Sequence, residues 1–448
     1  MIIKNRSALA TTEQRKQALD IVEAGIERVL PSHIMKSAVN YAAARRTIAI
    51  NSDTYAVSRS RVFVVGGGKA SGLMADTMEN IIPPENITAG VVNCKGGGYR
   101  TQKIKINIAG HPIPDERGVN GVREMLALKE RYDINENDLV LCLISGGGSA
   151  LMPYPVAGVS LKDKQTVTRL LLSSGAEIAE INAVRKHLSR IKGGQLGRFF
   201  APAMVVSLIL SDVIGNDLAV IASGPTFPDA STFSDAWKVL ERYNLLDKSP
   251  ASIIDFLKKG CYGEMPETPK ALNNCHNYII GDNRLALEAM AKKAGRMGLK
   301  PCILTAEQKG ETTPVARSRA KEILSARYAG YNVILLGGET TPTLPASPGK
   351  GGRNQHYAAV SMMAMAPFPG EWVIASVGTD GSDYLPDIAG AIVDKCSLAT
   401  AQAKGIDVPS YLERYDSHTL LERLGNSLVV TGDTGTNVGD VIVYLLGT

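Results

Sequence analysis

Two glycine triplets stand among side chains that could handle a charged ligand. Gly66-Gly67-Gly68 is followed at once by Lys69, and Gly146-Gly147-Gly148 lies between Ser145 and Ser149. Residues without a Cβ let the backbone turn tightly and bring its N–H groups close to phosphate or carboxylate oxygens. A lysine in that position neutralises those oxygens, and flanking serines add hydroxyl donors. Further along, Ser211–Asp217 carries two carboxylates, Asp212 and Asp217, and an Mg²⁺ that arrives with a polyphosphate uses one or two carboxylates. The densest basic stretch, with Arg185, Lys186, His187, Arg190 and Lys192, ends in Gly193-Gly194. Arg185 or Lys192 is therefore expected to face an anion held by the second triplet. His111 precedes a proline in Gly110–Asp115, an extended or turn segment, and a lone loop histidine is more often structural than catalytic. Each motif also has an ordinary reading: a tight turn, a solvated lysine, an aspartate that caps a helix.

The elements that must position these residues follow from the hydrophobic pattern. Leu139–Ile144 is short and continuously apolar, as a strand buried on both faces of a parallel sheet would be. Arg61–Gly72 reads as a second strand entering its glycines, and Ala70–Asn80 as the helix after them, an arrangement that suits phosphate. Neither triplet is a Walker A motif or a GxGxxG fingerprint, because the spacings differ. Ala89–Asn93, Ile104–Ala109 and Met204–Leu210 add strands, Leu161–Ser173 is helical, and Thr12 is expected to cap a helix that runs towards Pro31. Phe233–Lys270 turns helical and proline-punctuated, which places a domain boundary near residue 240, giving domains 1–240 and 241–448. Beyond it, Tyr278–Ile280, Cys302–Thr305, Asn332–Leu336, Val373–Val377 and Leu428–Val430 read as strands between helices. The expected class is α/β: two domains with mainly parallel, helix-flanked sheets around an interdomain cleft.

At 448 residues the chain is long for one core, and 44% hydrophobic with 21% charged residues supplies two. A formal charge of +5 without lysine or arginine runs argues against a nucleic-acid surface. Six dispersed cysteines without a CxxC read as buried, reduced thiols. No stretch reaches about 18 uninterrupted apolar residues, so a cytoplasmic protein without membrane contact is expected, with a homo-oligomer left open.

Ser145–Pro155, Asn182–Leu196, Ser211–Asp229, Gly337–Thr341 with Gly349–Gln355, Gly378–Asp383 and Thr434–Asp440 together resemble the glycerate 2-kinase family. That family carries a C-terminal domain called MOFRL, here at about 330–445, and was long labelled hydroxypyruvate reductase. The resemblance runs from about residue 15 to the end. It implies transfer of a phosphoryl group from ATP, with Mg²⁺, to the 2-hydroxyl of D-glycerate. It further implies Lys69 and Arg353 as the catalytic cations, with Asp212 beside them. Gly67, Gly68, Ser145, Gly146, Gly147, Gly148, Ser149, Lys192, Asn283 and Asp380 are the expected nucleotide contacts, and Asp212 and Asp217 the expected metal ligands. The family usually has Asp where this chain has Asn216, and an amide brings no charge, so Asp212 is favoured for the metal. Arg353, if exposed to an open cleft, would support little of the fold. A reductase using NAD(P)H would need the dinucleotide fingerprint that is missing. A non-catalytic metabolite-binding protein would have no use for Lys69, Asp212 and Arg353 together.

Overall fold

The computed structural model describes residues 1–57 and 60–447. The chain divides into two compact units, Ile34–Ile280 and Met1–His33 with Gly281–Thr448.

In the first unit, a short antiparallel sheet of β1 (Val39–Ala42), β2 (Thr47–Ile50) and β3 (Asp53–Ala56) precedes the main one. The main sheet contains β4 (Val62–Gly67), β5 (Ala89–Cys94), β6 (Ile104–Ile108), β7 (Leu139–Ser145), β8 (Met204–Leu210) and β9 (Cys275–Gly281), in the order β6-β5-β4-β7-β8-β9. The pairs from β6 to β8 are all parallel. Every residue of β4 and β7 is buried, which is why both runs are apolar throughout. Phe63, Val65, Val140, Cys142, Ile144 and Val205 share one core with Val122 and Met125 of helix Glu116–Tyr132. Register sets Gly67 beside Ile144, and Ser145 beside Leu210, so both glycine triplets leave the same edge of the sheet. A satellite core joins helices Leu161–Ser173, Ile178–His187, Phe233–Arg242 and Ala251–Cys261 through Val167, Val184, Leu240 and Leu257. The boundary expected near 240 thus falls inside Phe233–Arg242, whose apolar face is committed to the first unit.

The second unit has the sheet β10-β11-β15-β12-β13-β14, from β10 (Pro301–Gln308), β11 (Val333–Gly338), β12 (Trp372–Gly378), β13 (Ile388–Asp394), β14 (Leu428–Val430) and β15 (Asp440–Leu446). Only β10 and β11 run parallel; the other pairs are antiparallel, which corrects the expectation of a mainly parallel sheet here. The reason is β15, the last strand, which enters between β11 and β12 and opposes both. Alternate side chains feed two cores: Val441, Val443 and Leu445 face one side, Ile442 and Tyr444 the other. The first of these sides is covered by helices Glu13–Arg28 and Asn283–Arg296. Thr12 caps Glu13–Arg28 through the N–H of Arg15 at 3.2 Å, and Ala18, Ile21, Val22 and Ile26 are buried. Helix Glu13–Arg28 therefore belongs with the last strand, not with the domain that follows it.

Cys94 and Cys142 are buried, but Cys261 and Cys396 are exposed, so the expectation of six buried thiols holds only in part. Among the described residues no helix is long and apolar enough to cross a membrane.

Candidate functional site

The two triplets interlock. Lys69 N–H donates to Gly146 O at 2.8 Å, and Ala70 N–H to Ser145 Oγ at 2.9 Å. A Cβ on Gly66 would lie 2.1 Å from Leu143 O, and one on Gly68 2.1 Å from Ser145 Oγ. These glycines serve the approach of one loop to the other. The Ser145 hydroxyl is wholly buried and braces that contact. Gly67 and Gly148 also meet, since a Cβ on Gly148 would lie 2.6 Å from Gly67 O. Gly146 is buried with them. Gly147 differs. It is half-buried, left-handed at φ +77°, and a Cβ there would touch the His111 ring and Lys69 Cγ at 3.0 Å. Lys69 and His111 thus flank the same point of the second loop.

Two residues on, Ser149 collects cations. Arg185 Nη2 donates to Ser149 Oγ at 2.7 Å, while Lys192 Nζ donates to Ser149 O at 2.8 Å and Oγ at 3.0 Å. Lys192 is 1% exposed, and burial with Lys164 and Arg185 nearby holds its ammonium well below the usual lysine range. Ser149 Oγ also meets Ser223 Oγ at 3.0 Å, and Ser223 donates to Asn182 Oδ1 at 3.1 Å. Ala222 and Ser223 both take left-handed backbone, at φ +51° and +62°. Two adjacent non-glycine residues in that region store strain of a kind that gathers at functional sites. A cavity of about 310 Å³ opens against this cluster, lined by Ser149, Lys164, Arg169, Arg185 and Lys192, by the uncharged polar Gln165 and Thr168, and by apolar groups. Among the described residues no carboxylate lines it. Arg185 and Lys192 were marked by the basic run; Lys164 was not. Its signal lay in the pattern of Leu161–Ser173, where it shares the buried face of Leu161, Val167 and Leu171. A lysine on an apolar face is a charge that needs explaining.

Asp212 and Asp217 follow β8 on the turn that contains Gly215 and left-handed Asn216. Asp212 is half-buried and Asp217 exposed, with Asp217 Oδ1 accepting from Ala219 N–H at 2.8 Å. No three His, Cys, Asp or Glu side chains gather into a metal nest among the described residues. Asp212 and Asp217 share this one turn beyond the end of β8, and carboxylates are the residue type from which Mg²⁺ takes its one or two protein ligands.

Within the second unit, Arg353 opens helix Arg353–Ala364 and lays its guanidinium on Asp440, Nε to Oδ2 at 2.6 Å and Nη2 to Oδ1 at 2.9 Å. Nη1 reaches Glu339 Oε1 at 2.8 Å. Despite burial, these carboxylates hold the arginine well above its ordinary range. Asp383, buried, accepts from the N–H groups of Asn354 and Gln355 at 3.0 and 2.8 Å, and burial raises its carboxyl. The picture of Arg353 as a cation unconnected to the fold is therefore corrected. Asn283, 8% exposed, donates to Val438 O at 3.0 Å and Asp440 O at 2.8 Å. Both amide hydrogens pin the entry to β15, while among the described residues the buried Oδ1 has no hydrogen-bond partner. Asp380 accepts from the Ser382 N–H and hydroxyl, each at 3.0 Å, within its own turn.

Residues 17–258 match the family described as a domain of unknown function, DUF4147, and residues 332–440 match the MOFRL family. The glycerate 2-kinase of Pyrococcus horikoshii is 38% identical over 96% of this chain and 98% of its own length. A crystal structure of the glycerate kinase of Thermotoga maritima superposes with a TM-score of 0.82 at 37% identity, over 96% of this chain and 99% of that one. A protein of Agrobacterium vitis, 41% identical over 87% of this chain and 88% of its own length, bears a provisional hydroxypyruvate reductase name. Likeness at this level over both units leaves one assignment: the chain belongs to the glycerate kinase family, a DUF4147 domain followed by a MOFRL domain.

Proposed function

We propose that the protein is an ATP-dependent kinase that phosphorylates D-glycerate at its 2-hydroxyl, giving 2-phosphoglycerate and ADP. The observation that carries this reading, beside the family, is the interlocked pair of glycine loops with Lys69 held between them. Phosphoryl transfer asks little covalent work of a protein; it asks for alignment of donor and acceptor and for neutralised charge. Lys69 is proposed to neutralise the transferred group, with Gly147, Gly148 and Ser149 beside it. Arg353, in the other unit, is proposed as the second catalytic cation. Its fork is at present closed on Asp440 and Glu339, so it would act with those carboxylates and not as a lone charge. Asp212, with Asp217, is proposed to hold Mg²⁺, which when bound would screen the polyphosphate and polarise its oxygens. A cytoplasmic location fits the composition.

A reductase is disfavoured by the loops themselves. In a dinucleotide fold the glycines leave space for a pyrophosphate, whereas the spaces at Gly66 and Gly68 are filled by Leu143 and Ser145 of the neighbouring strand. The test is incubation with D-glycerate and Mg-ATP, with 2- and 3-phosphoglycerate resolved by NMR. Formation of 2-phosphoglycerate is expected. NADH oxidation with hydroxypyruvate, and no phosphorylated product, would reverse the reading.

A further inference from the structure

Among the described residues Lys164 Nζ has no hydrogen-bond partner, although the residue is only 6% exposed. The residue lines the cavity beside Ser149, together with Arg185 and Lys192. The three cations do not stand alike. Lys192 is engaged with the carbonyl and hydroxyl of Ser149, and so braces the loop. Arg185 uses Nη2 on Ser149 Oγ. Lys164 has nothing. A desolvated ammonium without a counter-charge is unfavourable, and its neighbours here are other cations, which makes it worse. A ligand that brings negative charge would satisfy all of them at once.

We propose that this cavity is the subsite for the carboxylate of the acceptor acid, and that Lys164 and Arg185 are the residues that select an acid over an uncharged polyol. The proposal rests on the kinase reading above and deepens it. Size favours the acid over the nucleotide: about 310 Å³ is at the small end of ligand pockets, roughly 300–1,000 Å³. Leu161, Leu172, Pro112 and Pro153 give the cavity apolar walls suited to a short carbon chain. The planar fork of Arg185 matches two carboxylate oxygens, and Lys164 adds a point charge from the opposite helix. Lys69 and His111 lie against the same loop at Gly147, so the acid would be held beside the phosphoryl-handling lysine.

The test uses the full-length chain and Lys164→Met, which keeps length and apolar volume while removing the charge. D-glycerate, Mg-ATP and glycerol are titrated calorimetrically, one at a time, and KM is measured for both substrates. D-glycerate affinity should fall at least about 30-fold and its KM rise in step, while the KM for ATP stays within about twofold, as expected when a desolvated charge contact is removed. Glycerol should bind neither protein. The unfolding midpoint should not fall, because an unpartnered buried charge has been removed. Arg185→Lys should also weaken D-glycerate, because a point charge does not replace the fork. Unchanged D-glycerate binding would overturn the assignment. A loss confined to Mg-ATP would overturn it too, and make this a nucleotide phosphate site. A lowered midpoint for Lys164→Met would mean that the fold itself needs the lysine, which is equally fatal. Direct titration needs no turnover, so D-glycerate that binds the wild type but is not phosphorylated would remove the kinase reading and leave the subsite standing.

Discussion

Lys69 and Arg353 carry the same charge in unlike settings, and their variants should separate accordingly. Lys69→Ala is expected to lower kcat on the order of 10²–10³, as loss of a charge-stabilising group does, with little change in unfolding midpoint. Arg353→Ala should lose activity and stability together. It strips the partner from Asp440, 4% exposed, and orphaning a buried carboxylate costs on the order of 3 kcal/mol. Equal midpoints for the two Ala variants would show that the Asp440 pair supports nothing. Lys164 should reveal itself through pH. Burial, with Arg185 beside it, lowers its ammonium to about 7, and Lys192 and the rim residue Arg169 add no carboxylate to offset this. The unfolded chain keeps its lysine protonated to about 10.4, so between about 7 and 10 the unfolded state binds more protons and this group makes stability rise with pH. Below about 7 its penalty is fully present. The gain in midpoint from Lys164→Met should therefore be larger near pH 6.5 than near pH 9.5, and a gain independent of pH would contradict the burial of a charged lysine.

The loops translate these side chains into a site, and the glycines matter for different reasons. Gly66 has φ +138° and no room for a Cβ, which would lie 2.1 Å from Leu143 O. Gly66→Ala should cost about 3 kcal/mol or more, since both backbone and neighbour would have to move. Gly158, φ +84° with nothing within 4 Å, should cost only about 1 kcal/mol as Ala, through backbone strain alone. Chemical denaturation of the two variants checks the contrast. The triplets were legible because a continuous apolar run that stops in glycines has few other uses, and Met204–Leu210 and Leu161–Ser173 match the pattern residue for residue. The partners of each glycine were not legible, because interlocking depends on which strand lies next door. β1 to β3 escaped notice as four-residue strands with too few alternations to register. β15 was available as the apolar run Val441–Leu446; its place between β11 and β12 was not, being a matter of pairing. The partners of Asn283 were hidden for the same reason: Val438 and Asp440 are 155 and 157 positions away.

The second unit is built from both ends of the chain, and that decides what helix Glu13–Arg28 is for. Arg15, 4% exposed, forms an ion pair with Asp394 and donates to Asn426 O at 2.6 Å and Ser397 Oγ at 3.0 Å. Arg15→Ala should cost about 3–5 kcal/mol, because Asp394 would remain buried without its counter-charge. With differential scanning, the loss should appear in the transition of the unit that holds β10 to β15; a shift in the Ile34–Ile280 transition instead would refute the division of the chain. The same arrangement bears on how the protein is made. Ala18, Ile21, Val22 and Ile26 pack in one core with Val441, Val443 and Leu445. A ribosome adding about 5–20 residues per second needs roughly 20–80 s to go from that helix to that strand. The intervening unit, Ile34–Ile280, can fold as soon as it emerges, while the helix ahead of it carries an apolar stripe with nowhere to bury it. A pause in translation or a premature stop after residue 280 would thus strand an adhesive amphipathic segment on an otherwise finished domain. The nascent chain has most need of a chaperone at its beginning, and for as long as its end is unmade.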